Sequence, residues 1–178
     1  MHDIQWQTGI TAGLAGILLA SLAAPLKAQP DQLSETYRDW IVTCSTVAAG
    51  PQGDGPQRIC EMSQELFQQE TGQRVLSISL RRIQSGNDAR TAFVVHFGLD
   101  VRDDIRISIG EHMLPEIAFE TCLPRGCIAG GQMAAPEIEI LRREESALIS
   151  LPVLSEGTLD VTVSLMGFSA AWARLGEL

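Results

Sequence analysis

Two cysteines in "FETCLPRGCIAGG", Cys122 and Cys127, enclose Leu-Pro-Arg-Gly. Such a pair can serve as a metal clip, a redox couple or a disulfide staple. Cys44 and Cys60 bring the number of cysteines to four. A zinc site ordinarily uses two short Cys or His pairs, and only one pair here is short. A thioredoxin-type couple needs Cys-x-x-Cys, which the sequence lacks. An even cysteine count in an exported chain reads as disulfides. Turn chemistry favours one of the three possible pairings. Pro124 suits the second place of a turn and Gly126 the fourth, which sets Cys122 opposite Cys127 at the mouth of a hairpin. Cys44 and Cys60 then end one strand and begin the next across "GPQGDGPQ" (50–57). The opening stretch reads as a stapled hairpin whose tip, Pro124 and Arg125, is the candidate partner contact.

Other residues with chemical potential are sparse. His96 in "VVHFG" reads as a strand histidine facing solvent or a second layer, and His112 in "GEHML" as a turn residue. The enzyme alternative is a hydrolase using His96 or His112 with a spatially distant carboxylate, since triads assemble in space. "DVRDD" (100–104) offers three carboxylates but too few regularly spaced oxygens for calcium, so it reads as a solvated turn. Glu137 and Glu139 in "EIEIL" fall on one face of an expected strand, and "RREE" (142–145) is a charged turn. Trp40 reads as core packing over the disulfide of Cys44. Gly-x-Ser-x-Gly and His-Glu-x-x-His are both missing. The sequence therefore predicts no catalytic residue, no cofactor and no metal.

These residues need a frame. The chain has 178 residues, 45% apolar and 20% charged, which suits one globular domain. Its net charge is −9, and its 13 basic residues are Arg apart from Lys27. No basic run exceeds two residues, which argues against nucleic acid or an anionic membrane surface as partner. The apolar run "TGITAGLAGILLASLAAPL" (8–26), followed by Ala28, reads as a signal peptide over 1–28. Its leader "MHDIQWQ" carries Asp3 and lacks Lys and Arg. An uncleaved anchor is the alternative, and it is the only membrane contact expected. Residues 29–36 read as a polar lead-in and 37–178 as the domain.

Period-2 alternation dominates that domain. "DWIVTC", "RVLSISLRR", "TAFVVHFGLDV", "DIRISIG", "EIEIL", "SALISLPVL" and "GTLDVTVSLMG" all read as strands. The third sets Phe93, Val95, Phe97 and Leu99 together, and Pro152 lies near the end of the sixth or on an edge. Turns fall at 84–89 ("QSGNDA") and at "LPRG". Only "GFSAAWARLGEL" has helical spacing, with Phe168, Ala171, Trp172 and Leu175 in register. The expected fold is mainly β. It is a single antiparallel β-sandwich, immunoglobulin-like in the broad sense, with one short C-terminal helix and two disulfides.

In order, "DWIVTC", "CEMSQEL", "VLSISLRR", "FGLDVRDDIRISIG", "FETCLPRGC" and "VSLMGFSAAWARL" span residues 38–175. On these segments the chain resembles the invasion-associated locus B (IalB) family of bacterial envelope proteins. The resemblance implies an exported, periplasmic or surface-associated β-sandwich with two disulfides. In some pathogenic relatives the family is linked to invasion of host cells, including red blood cells, while many members come from free-living bacteria. It implies no catalytic residues. The expected function is non-enzymatic binding of a protein or envelope component.

Overall fold

The structure, a computed structural model, describes residues 32–48, 55–83, 86–154 and 157–178. The expected signal segment lies outside these residues, as do 50–54 of the Gly/Pro loop and 84–85 of the next turn. Among the described residues no helix is long and apolar enough to cross a membrane.

Two antiparallel sheets form the domain. The larger contains β1 (Gln32–Tyr37), β2 (Trp40–Val47), β3 (Gln57–Phe67), β4 (Arg74–Arg82), β5 (Ala89–Val95), β8 (Phe119–Leu123) and β9 (Gly126–Met133). Its order is β1-β2-β3-β4-β5-β9-β8, so the first five strands run as a meander and β8 forms an edge. The smaller contains β6 (Arg106–Ile109), β7 (His112–Met113), β10 (Ser146–Pro152) and β11 (Thr158–Ser164), ordered β11-β10-β6-β7.

Alternation decides what each sheet buries. Trp40, Val42, Met62, Leu76, Phe93 and Val95 point inward from the larger sheet, and Ile107, Ile109, Ile149, Leu151 and Val163 from the smaller. All belong to one core cluster. Each such side chain contributes about 1.5–3 kcal/mol by leaving water. The two-sheet, two-disulfide architecture is the one expected.

Three local expectations need correction. Residues 135–141, "APEIEIL", form a helix, α1 (Ala135–Leu141), and not a strand. Pro136 sits in its first turn, and the Glu137 carboxylate accepts the N–H of Ala134 as half of a capping box. Ile138 and Leu141, three apart, are its buried residues, so five alternating positions had concealed a helical spacing. Glu137 and Glu139 therefore share no strand face, and Glu139 instead accepts from Arg142 at 2.6 Å. Second, residues 32–36 of the supposed lead-in belong to the sheet as β1, in register with β2. Its inward positions are Leu33, Glu35 and Tyr37, and the charge on Glu35 hid the pattern. Third, β5 stops at Val95. Gly98 has φ 100°, and Phe97 is 50% exposed and so leaves the core row. Leu99 bridges Val153 instead.

The second helix, α2 (Phe168–Leu175), is the one expected at the C-terminal end, and it packs on β1, β2 and β3. Phe168, Ala171, Trp172 and Leu175 are its buried face. The Trp40 ring meets Phe168 edge-on at 5.1 Å, so its aromatic partner comes from α2. Trp40 Nε1 donates to the Ser164 carbonyl at 3.0 Å. Buried Gln64 donates to the Asp39 carbonyl at 2.9 Å and to that of Ser164 at 3.2 Å. Such bonds satisfy polar groups that are costly to bury unpaired.

Glu35 ties β1 to α2, accepting from Arg174 Nε at 2.7 Å and Nη2 at 3.0 Å. These bonds, then that from the Tyr37 hydroxyl, hold its carboxyl below the ordinary value of 4.5. A depressed carboxyl adds stability that is fully present above its unfolded pKa and is lost as pH falls through the folded one. Glu35→Gln should therefore shrink the drop in melting temperature as pH falls from 4.5. Parallel acid profiles for the variant and the wild type would contradict this.

Candidate functional site

Five-residue β8 and eight-residue β9 meet at a two-residue tip. Cys122 pairs with Cys127 and Leu123 with Gly126, leaving Pro124 and Arg125 exposed between them. The Cys122–Cys127 disulfide closes this hairpin with the Cα atoms 3.9 Å apart. Cys44–Cys60 closes the other loop at 4.0 Å, and no described cysteine is free. Gly126 has φ 137°, and a Cβ there would lie 2.4 Å from the Val95 carbonyl oxygen. Only glycine lets the tip rest so closely on the end of β5.

Register carries other features to the same end of the molecule. Val95 faces Cys127, so the segment that follows β5 emerges beside the hairpin. That segment presents His96 and half-exposed Phe97, and Leu123 on β8 is also 50% exposed. Leu154 donates its N–H to the Gly98 carbonyl at 3.2 Å, which draws the end of β10 to this pole. His96, Phe97, Leu99 and Leu159 share a concavity of about 190 Å³. The hairpin end thus combines a rigid tip, an open strand edge and several exposed apolar side chains. Exposed apolar groups gathered in one place suit protein contact.

The predicted chemical residues do not converge. His96 Nε2 contacts Gln73 Nε2, and its Nδ1 lies 3.2 Å from the Phe97 carbonyl oxygen. His112 is exposed in the short β6–β7 hairpin. Among the described residues neither histidine is bonded to a carboxylate, and no cluster of three or more potential metal ligands occurs. In "DVRDD", Asp100 accepts from Arg102 Nε at 2.8 Å, and these bonds hold its pKa down at about 2. That segment is a self-paired surface turn. Period-2 alternation groups Phe97 with the inward Phe93 and Val95, which hides the apolar end in the sequence. Gly98, just after Phe97, was the available signal that the strand ends there.

Comparison with known proteins agrees with this architecture. Residues 40–176 match the family model described as "Invasion associated locus B (IalB) protein". Invasion protein B homologs of Brucella abortus strain 2308 and of biovar 1 strain 9-941 are each 32% identical over 161 residues. Those alignments cover 90% of this chain and 88% of each relative. The crystal structure of invasion associated protein B from Bartonella henselae is similar at a TM-score of 0.69 and 25% identity. The match covers 82% of this chain and 95% of that one. With most of its length matched in sequence and in fold, the chain belongs to the invasion-associated locus B family.

Proposed function

We propose that this protein is exported and works without catalysis, binding an envelope or host protein through the hairpin end. The observation that carries this reading is the gathering of a stapled tip, an edge strand and exposed Phe97, Leu123 and Leu159 at one pole. A preorganised tip loses less entropy on binding than a flexible loop. Edge β8 also leaves backbone groups facing outward, which a partner strand can engage. Export to the periplasm or cell surface is supported by the pairing of all four cysteines, because disulfides persist in oxidising compartments. An invasion-associated role follows from the relatives, which are named invasion protein B homologs.

Arg125→Glu tests the tip. Partner capture by the folded, oxidised variant should fall about tenfold or more if Arg125 is an interface anchor. Undiminished capture would exclude the tip. His112→Ala, tested alongside it, should leave capture unchanged, and neither His112→Ala nor His96→Ala should alter any turnover. Loss of a measurable turnover in either would establish the hydrolase instead.

A further inference from the structure

The arginines are dispersed in sequence, but the fold brings four of them to the pole opposite the hairpin tip. Arg81 of β4 stands directly across from Arg90 of β5. Like charges so placed, with Cβ atoms about 4.5–5.5 Å apart, destabilise a sheet. Arg82 turns to the other face, where its guanidinium lies 4.4 Å from the Trp172 ring centroid. It also rests against Gly176, where a Cβ would come within 3.0 Å of Arg82 Cζ. Its Nε is buried without a hydrogen-bond partner. Burial, and secondarily the charge of Arg142, push its pKa down. Arg58 of β3 joins them around an open concavity of about 620 Å³, walled on the far side by Leu175, Gly176 and Leu178.

Among the described residues no ion pair joins Arg58, Arg81, Arg82 or Arg90 to a carboxylate. Glu61 and Glu120 line an adjoining depression with Arg81 and Arg90 without pairing to them. Asp88 is engaged by the N–H of Ala135 at 2.8 Å. In a chain of net charge −9, a cluster of cations with no carboxylate partner among the described residues, set in a concavity, has a stability cost that a bound anion would offset.

We propose that this concavity binds a phosphate monoester, held by Arg58, Arg81 and Arg90, with Arg82 as a fixed charge behind them. A phosphate monoester carries nearly two negative charges and three acceptor oxygens. Guanidinium groups offer paired N–H donors matched to that geometry. Donors reaching in from three strands suit a tetrahedral dianion better than a flat carboxylate. Trp172 and Gly176 already order Arg82, so its charge is in place before a ligand arrives. The site lies at the opposite end of β5 from the hairpin, so either surface can fail its test without affecting the other.

Calorimetric titration of the oxidised full chain with glycerol phosphate at low ionic strength tests the site. Wild type and Arg106→Gln, a control on the smaller sheet where Arg106 lies 3.8 Å from Glu116, should bind alike. Arg81→Gln/Arg90→Gln should bind about 100-fold more weakly, roughly tenfold for each guanidinium removed. Without ligand it should melt no lower than wild type, because the facing like charges are gone. A second arm measures flotation with phosphatidylcholine vesicles, with and without phosphatidic acid. An increment due to phosphatidic acid alone assigns the site to a lipid headgroup, and binding of the soluble ester alone to a free monoester. Both together mark the shared chemistry, and each signal must be lost in the double variant. Undetectable binding in both arms, or equal binding by wild type and the double variant, overturns the proposal.

Discussion

Gly167→Ala should destabilise the domain by about 3–5 kcal/mol, a large part of the stability of an ordinary domain. Gly167 begins α2 with φ 92°, a conformation that residues with a Cβ rarely adopt. A Cβ there would lie 1.9 Å from the Tyr37 carbonyl oxygen and 2.7 Å from the Tyr37 carbonyl carbon. Both obstacles are backbone, fixed in the turn between β1 and β2. The Asp39 N–H donates to the Met166 carbonyl at 3.3 Å, so this turn and the start of α2 are held against each other. Relief of the clash requires α2 to move, and α2 carries Phe168 and Trp172 into the core. Gly157→Ala is the matched control, since Gly157 has φ 93° with nothing within 4 Å of a new Cβ. It should lose only the backbone preference, about 1 kcal/mol. Thermal melts should separate the two variants by about 5 °C or more. Coincident melts would show that the contact with Tyr37 is not a constraint.

Removal of the Cys44–Cys60 bridge should be the next most damaging change, at roughly 2–5 kcal/mol. In the chain-entropy model its separation of 16 residues gives about 3 kcal/mol, against about 2 for the separation of 5 in Cys122–Cys127. Burial does not separate the two, since each has one buried cysteine, Cys44 at 2% and Cys127 at 4% exposed, so the ranking rests on loop length. The experiment compares Cys44→Ala/Cys60→Ala with Cys122→Ala/Cys127→Ala, so that neither leaves a lone thiol. Equal melting temperatures for the two would contradict the ranking.

The strands were most legible where burial alternates cleanly. Leu76, Ile78 and Leu80 all point inward, as do Ile105, Ile107 and Ile109. The segments that carry the family resemblance have the same cause. In "CEMSQ" the alternate residues Cys60, Met62 and Gln64 form the bridge, the core contact and a clamp on two carbonyl groups. Trp40 and Cys44 share the inward face of β2. These motifs describe how the fold closes and not what it binds. Charged or short elements were harder to read. Glu35 points inward on β1 because Arg174 meets it from α2, a contact that joins positions far apart in the chain. The α1 signal lay in Pro136 and Glu137, and the expectation followed the alternation after them. The hairpin tip was readable because Pro124, Gly126 and two cysteines are neighbours in sequence. The arginine pole was not, because Arg58, Arg81 and Arg90 come from three strands and meet only once these have paired.

Photo-crosslinking inside cells that produce the protein tests the binding role of the hairpin end most directly. A photoreactive residue is placed in turn at Arg125, at Phe97 and at Met113. Met113 lies on the smaller sheet and is 64% exposed, so it reports contact that does not depend on the hairpin end. A discrete partner adduct is expected from positions 125 and 97, with little or none from 113. An adduct from 113 with none from 125 or 97 would contradict that role.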